Sequence, residues 1–210
     1  GMPADSDWIL NARYQFDTSL IHNAWIYELS NQIGQYAPRT RFVELYLNED
    51  DEAVSESDYE GIYTFTEKIG RGADRIDVET MPIEATEEPE ITGGYIFRHD
   101  KTDPNTWDFT GGGVTMQMIY PPEEERSERA HQRDWIVNHL NGLRDSIRNG
   151  SDPETGYPSV IEERAWIDHQ LLNLLTLNVD ALRLSAYFYK SRGGKVIAGP
   201  VWDFDRSAGG

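Results

Sequence analysis

A chain of 210 residues with a formal net charge of −18 at pH 7 repels the phosphate backbone of nucleic acids and anionic membrane surfaces, and it favours basic partners. Its 38% of hydrophobic residues and 18 glycines suit one globular domain with a real core, not a disordered chain. Cysteine is absent, which excludes disulfides and thiolate metal sites, and no apolar run approaches the ~20 residues of a membrane span.

Gly1-Met2 reads as a cloning remnant. Trp8-Ile9-Leu10 reads as a short strand. Asp17 or Thr18 can cap a helix from Ser19 to about Ile33, in which Leu20, Ile21, Ala24, Trp25, Leu29 and Ile33 recur at helical spacing. Arg41 to Leu47 and Tyr59 to Ile69 are rich in β-formers and read as a hairpin. The connection between them holds Glu49-Asp50-Asp51-Glu52, a solvated charge run without the spacing of a calcium loop. Arg71 to Pro89 is polar and irregular. Gly93 to Arg98 and Val114 to Tyr120 read as strands, and Gly111-Gly112-Gly113 as a flexible turn before the second.

Pro121-Pro122 then opens a helix expected to run to about Arg148, with Ile136, Leu140, Leu143 and Ile147 as its apolar stripe. On it Arg126, Arg129 and Arg133 are expected to form exposed pairs with neighbouring glutamates; His99, His131, His139 and His169 make no metal-ligand spacing and read as surface or helix-face histidines. Ser159-Val160-Ile161-Glu162 matches a capping box. The helix it introduces, with Trp166, Ile167, Leu171, Leu172, Leu174 and Leu175, is apolar nearly all round and is expected to be central and buried. Tyr187 to Tyr189 and Val196 to Ala198 flank Gly193-Gly194 and read as a final hairpin. The fold class is α+β, with a sheet-rich N-terminal part, a helical C-terminal part and a closing β-hairpin.

Asp180 lies just past the buried helix, and Asp203 and Asp205 lie just past the hairpin. A hairpin goes out and returns, so Asp180 and Asp203 are expected to be neighbours; in an extended segment Asp203 and Asp205 share one face. Three hard oxygen donors without a nearby His or Cys suit Mg²⁺ or Mn²⁺. Such a cluster serves phosphoryl transfer, where one carboxylate handles the proton of the attacking hydroxyl and others hold the cation on the nucleotide phosphates. By spacing alone the same aspartates also fit turns and caps around a hairpin.

The segment Gly199-Pro200-Val201-Trp202-Asp203-Phe204-Asp205 resembles the signature of the spore-coat protein H (CotH) kinase family. Similar in the family's order are Asp7 to Ala12, Asp17 to Asn23, Glu44 to Asn48, Glu60 to Ile69, Arg75-Ile76-Asp77, Gly93 to Ile96 and Asn178-Val179-Asp180-Ala181. The resemblance implies an atypical protein-kinase-like fold over a single domain, 1–210, that starts after the family's upstream strands and stops at Ala208-Gly209-Gly210, where the family continues. It implies ATP with Mg²⁺ or Mn²⁺, transfer of phosphate to serines of basic proteins, and a spore-coat or bacterial cell-surface setting. Asp180 would be the catalytic acid/base with Asn178 supporting its loop, and Asp203 and Asp205 the metal ligands. Ser185, where the family has Asn, would be a weaker metal ligand. Glu67 would belong to a nucleotide-side ion pair, and Trp202 would line the nucleotide pocket or serve as a core aromatic. His22 stands where the family has Arg, and none of Lys68, Lys101, Lys190 and Lys195 matches the family's phosphate-binding Lys. Two other readings stay open: a pseudokinase or surface binding module that keeps the fold without turnover, and a structural coat protein whose acidic cluster clips calcium.

Overall fold

The computed structural model describes residues 2–12, 15–102, 104–181 and 183–209; Gly1 and Gly210, noted above at the chain ends, lie outside the described residues. Among the described residues, two antiparallel sheets and three α-helices make a mixed α+β fold. In chain order the elements are β1 (Trp8–Asn11), α1 (His22–Gln32), β2 (Thr40–Tyr46), β3 (Tyr59–Glu67), β4 (Tyr95–His99), β5 (Trp107–Gly111) and β6 (Val114–Tyr120). There follow α2 (Ala130–Ser146), α3 (Glu163–Leu175), β7 (Ala186–Lys190) and β8 (Val196–Ala198). The small sheet has the order β1-β3-β2, and the larger one β5-β6-β4-β7-β8. The expected closing hairpin forms, yet it is no appendage: β7 pairs with β4, so strands from both halves of the chain build one sheet.

Strand β4 is the centre of the molecule. Tyr95 and Phe97 face a core built with α2, while Ile96 faces a second core with Ile69, Ile76, Val78 and Tyr187. Burial on both faces explains why the strand is a continuous apolar run instead of an alternating one. It begins beside Gly93, where a Cβ would lie 2.0 Å from the Arg192 backbone nitrogen, so only glycine lets the β7–β8 turn pass this close. Strand β5 was not anticipated; its signal is the alternation of buried Trp107 and Phe109 with exposed Asp108 and Thr110. The triple glycine is the end and turn of the β5–β6 hairpin.

Helix α1 starts at His22, not Ser19, because Leu20 sits at a φ of 59° that a helix cannot use. Asp17 still supports the start: its carboxylate accepts from the Ser19 and His22 backbone N–H groups at 3.1 and 2.8 Å. The buried face is Asn23, Ile26, Tyr27 and Ser30, rotated from the apolar stripe expected through Ile21 and Trp25, which are exposed.

Helix α2 starts at Ala130, later than the proline pair, and Glu123–Glu125 forms only a single 3₁₀ turn. Arg129 precedes the helix with a non-helical backbone; it is buried, donates to the Met81 carbonyl and Gln132, and pairs with Glu125. It is therefore not an exposed helix-face arginine. Helix α3 is capped by Glu162 itself, whose side chain accepts from Ala165 N–H at 2.7 Å, while Ser159 belongs to a preceding 3₁₀ turn. Only one face of α3 is buried, through Ala165 and Leu172; Leu171 and Leu175 remain 56% and 62% exposed. The expectation of a fully buried helix fails because the sheet and α1 cover α3 from one side only.

Glu67 ends β3 in full burial, with its carboxylate accepting from Arg39 Nε and Nη2 at 3.0 and 2.7 Å and from the Arg39 backbone N–H at 2.9 Å. Burial and the Glu67 charge push the neighbouring Tyr36 phenol up, so it stays neutral and donates to the same carboxylate at 3.3 Å. Replacing Glu67 with Gln strips the Arg39 guanidinium of its counter-charge. A loss of ~3 kcal/mol is expected, at the low end for breaking a buried pair because Arg39 is partly solvated. Denaturant unfolding checks this as a lower midpoint at unchanged slope.

Two half-buried histidines weaken the fold in acid. Burial lowers His139, stacked on Trp135, from 6.5 to about 4, with the Lys190 charge adding to the effect; burial alone does the same to His169. Between those values the unfolded chain binds more protons than the folded one, so stability falls as pH drops from 6.5 to about 4. Each imidazole contributes up to ~3 kcal/mol to that loss. His139→Phe keeps the stacking and removes the titration, so its melting temperature should depend less steeply on pH across this window than that of the wild type.

Candidate functional site

The chain from Asp180 to Arg206 leaves α3, runs through β7 and β8, and returns to where it started. At that return lies a cavity of about 350 Å³ lined by Asp180, Ser185, Trp202, Asp203 and Asp205, with Asp100, Arg98, Lys101, Arg206, Phe16 and Leu184. The three aspartates singled out from the sequence thus share one cavity with Ser185 and Trp202. The route differs in one respect from the expected extended segment. Asp203 sits at a φ of 59° and Ser185 at 55°, both in the left-handed region. Asp visits that region more readily than most residues, whereas Ser does so at a cost of ~1 kcal/mol or more. Such backbone settings concentrate at functional sites.

Helix α1 holds the signature segment through its polar buried face. Asn23 Oδ1 accepts from Phe204 N–H at 2.6 Å, and the Tyr27 hydroxyl oxygen accepts from Asp203 N–H at 3.2 Å. Burial pushes the Tyr27 phenol well up, so the hydroxyl stays neutral in this role. Phe204 is buried with Ile26, Leu172 and Val201, which anchors the segment between α1 and α3. Ser207 Oγ donates to the Phe204 carbonyl and Ala208 N–H to the Thr176 carbonyl, both at 2.6 Å. His22 Nδ1 lies 3.2 Å from the Asp205 carbonyl oxygen.

On the α3 side, Asn178 Oδ1 accepts from Asp180 N–H at 3.1 Å and its amide donates to Asn173 at 2.9 Å, so Asn178 braces the Asp180 loop without lining the cavity. Asp180 itself lies 3.5 Å from Arg206 Nη1. Ser185 Oγ donates to Asp203 Oδ2 at 3.4 Å. Trp202 stacks on Tyr27 at 5.9 Å, meets Tyr187 edge-on at 6.3 Å, and lines the cavity. Glu67 forms an ion pair, with Arg39, but does not line this cavity.

The sequence reading missed Arg98, Asp100 and Lys101 as cavity residues. Arg98 lies in β4 opposite Tyr187, and Asp100 and Lys101 follow the strand's last pair, His99 opposite Ala186, so the antiparallel register brings this strand end to the start of β7. The available signal was the abrupt change from Tyr95-Ile96-Phe97 to Arg98-His99-Asp100-Lys101, an apolar strand emerging at the sheet end. Arg98 is braced by Gln117 at 2.8 Å, the Tyr187 hydroxyl at 3.0 Å and Asp100 at 3.6 Å. Among the described residues the cavity is therefore lined by four carboxylates and three cationic groups, an arrangement that can take a metal and an oxyanion together. Among curated proteins, none matches the chain. A family model described as CotH kinase protein matches residues 1–210, the whole chain, which therefore belongs to that family.

Proposed function

We propose that the chain is an atypical protein kinase that transfers the γ-phosphoryl group of ATP to a serine hydroxyl of a basic protein. The observation that carries this reading is the convergence of Asp180, Asp203 and Asp205 on one cavity, and membership of a kinase family supports the class of chemistry. Asp180 accepts the proton of the attacking serine hydroxyl, and Asn178 keeps its loop in place. Trp202 flanks the nucleotide from the Tyr27 side.

Asp203, Asp205 and the Ser185 hydroxyl offer hard oxygen donors of the type that Mg²⁺ or Mn²⁺ takes. Among the described residues no three His, Asp or Glu side chains lie close enough to hold a metal by themselves. Mg²⁺ is ordinarily held by one or two carboxylates, with substrate phosphates and waters completing its shell, and the Asp203 and Asp205 pair fits that mode. When bound, the cation offsets charge on the transferring phosphates. The charge of −18 draws Lys/Arg-rich acceptor segments toward the molecule. A spore-coat or bacterial cell-surface setting accords with the family name.

A second reading, nucleotide binding without turnover, draws on Arg206 standing 3.5 Å from Asp180 and on Ser185 in the family's Asn position. Both readings are tested by thermal melts with ATP plus Mg²⁺ or Mn²⁺ alongside transfer of labelled phosphate to basic serine-containing proteins. ATP with metal at 100-fold its dissociation constant should raise stability by ~2.7 kcal/mol, a shift of several degrees. Asp203→Ala should abolish the metal-dependent part. Asp180→Asn should retain the shift and lower transfer by ~10²-fold or more. A wild-type shift without transfer to any acceptor would favour the second reading; no shift and no transfer would overturn both.

A further inference from the structure

We infer that Lys101 and Arg206 form a polyphosphate clamp in this cavity, an inference that rests on the nucleotide-binding reading above and names the groups that receive the phosphates. A pocket lined by aspartates alone would repel a nucleoside triphosphate, and a single divalent cation would only partly offset that repulsion. The cationic groups must come from elsewhere in a chain with 19 Lys and Arg against 37 Asp and Glu.

Three of the four lysines are committed away from the site. Lys68 is exposed and 3.8 Å from Asp7 on the small sheet. Lys190 is buried, donates to the Thr92 carbonyl at 2.6 Å and packs on the Trp135 ring. Lys195 donates to the Pro158 carbonyl. Lys101 lines the cavity, and among the described residues its ammonium has no hydrogen-bond or ion-pair partner. Its backbone is pinned: the N–H donates to Asp100 Oδ1 at 2.8 Å, and the carbonyl accepts from buried Gln117 at 2.7 Å. Gln117 is in turn held by Arg98. A fixed backbone carrying an ammonium without a partner among the described residues, in the cavity that Ser185 and Asp203 also line, is the arrangement a phosphate-binding lysine needs.

Arg206 approaches from the other side, three residues past Asp203, with its guanidinium over the Phe16 ring at 5.2 Å. Its contact with Asp180 is long, 3.5 Å to each carboxylate oxygen, and its side chain is half exposed. A planar guanidinium binds phosphate oxygens in pairs, so an arriving polyphosphate competes well for it. Transfer of Arg206 from Asp180 to the phosphates also releases the Asp180 carboxylate for the serine proton, which ties exposure of the base to nucleotide arrival.

The test measures binding of three probes, Mg²⁺-ATP, inorganic tripolyphosphate and adenosine, to wild type, Lys101→Met, Arg206→Met and the control Lys68→Met. Each cavity variant should weaken ATP and tripolyphosphate by about tenfold or more, the loss of one charge-assisted contact. Adenosine binding and the melting temperature without ligand should not change, and Lys68→Met should behave as wild type. Wild-type affinity for both phosphate probes in Lys101→Met and Arg206→Met would overturn the clamp and leave the kinase reading intact. Tripolyphosphate binding that depends on Lys101 without any ATP binding would sustain the clamp and overturn the kinase reading. Failure of wild type to bind either phosphate probe would overturn both.

Discussion

The pairing of β4 with β7 is the contact on which the site depends. Its register runs from Tyr95 opposite Lys190 to His99 opposite Ala186. Side chains alternate between faces along a strand, so a slip by one residue would exchange the two sets of core side chains. Tyr95, Ile96 and Phe97 are all fully buried, and neither face can accept the other's set without voids and clashes. The register is therefore tightly specified by packing, and the cavity inherits it. Asp100 and Lys101 emerge at the end of β4 where the chain enters β7 through Ser185, and the β7–β8 turn brings the chain back to Asp203.

A second constraint is satisfaction of buried backbone groups. The signature segment turns through a left-handed setting at Asp203 and is neither helix nor strand, so its amides need partners from elsewhere. Asn23 and Tyr27 of α1 supply them. This explains why α1 turns a partly polar face inward and leaves Ile21 and Trp25 in solvent. The helix is oriented by the hydrogen bonds that the signature needs as much as by apolar burial. Phe204 supplies the apolar part of the same contact, packed among Ile26, Leu172 and Val201. A local backbone cost at the functional segment is offset by a well-packed surround, the usual condition for such settings to persist.

Charge follows the same division between core and site. Buried Glu67 is paired with Arg39, and buried Arg129 with Glu125, because a lone buried charge is costly. In the cavity, contacts between opposite charges are looser, at 3.5 Å for Arg206 with Asp180 and 3.6 Å for Arg98 with Asp100. Water reaches these groups and lowers the cost of rearranging them, as a ligand-binding site requires.

Much of this was written locally. The β2–β3 hairpin, the β7–β8 hairpin around Gly193-Gly194, the long helix with Ile136 and Leu140 inward, and the grouping of Asp180 with Asp203 follow from turn chemistry, periodicity and the geometry of an out-and-back hairpin, all short-range properties. The signature and its neighbours indicated the family over the whole chain. What local pattern could not supply was long-range partnership. The rotation of α1, the open face of α3, the burial of Arg129 and the start of α2 depend on which distant surface covers each residue, and periodicity carries no information on that. The joining of β7 to β4 lies in the same class, because strand pairing across ninety-odd residues is decided by complementary faces and not by either strand alone. Sequence alone therefore determined most of the elements, though not β5, together with the family and the aspartate cluster. Tertiary packing decided which cations meet that cluster, since the β4–β7 pairing brings the end of β4, with Lys101 just beyond it, to the cavity that Ser185 lines.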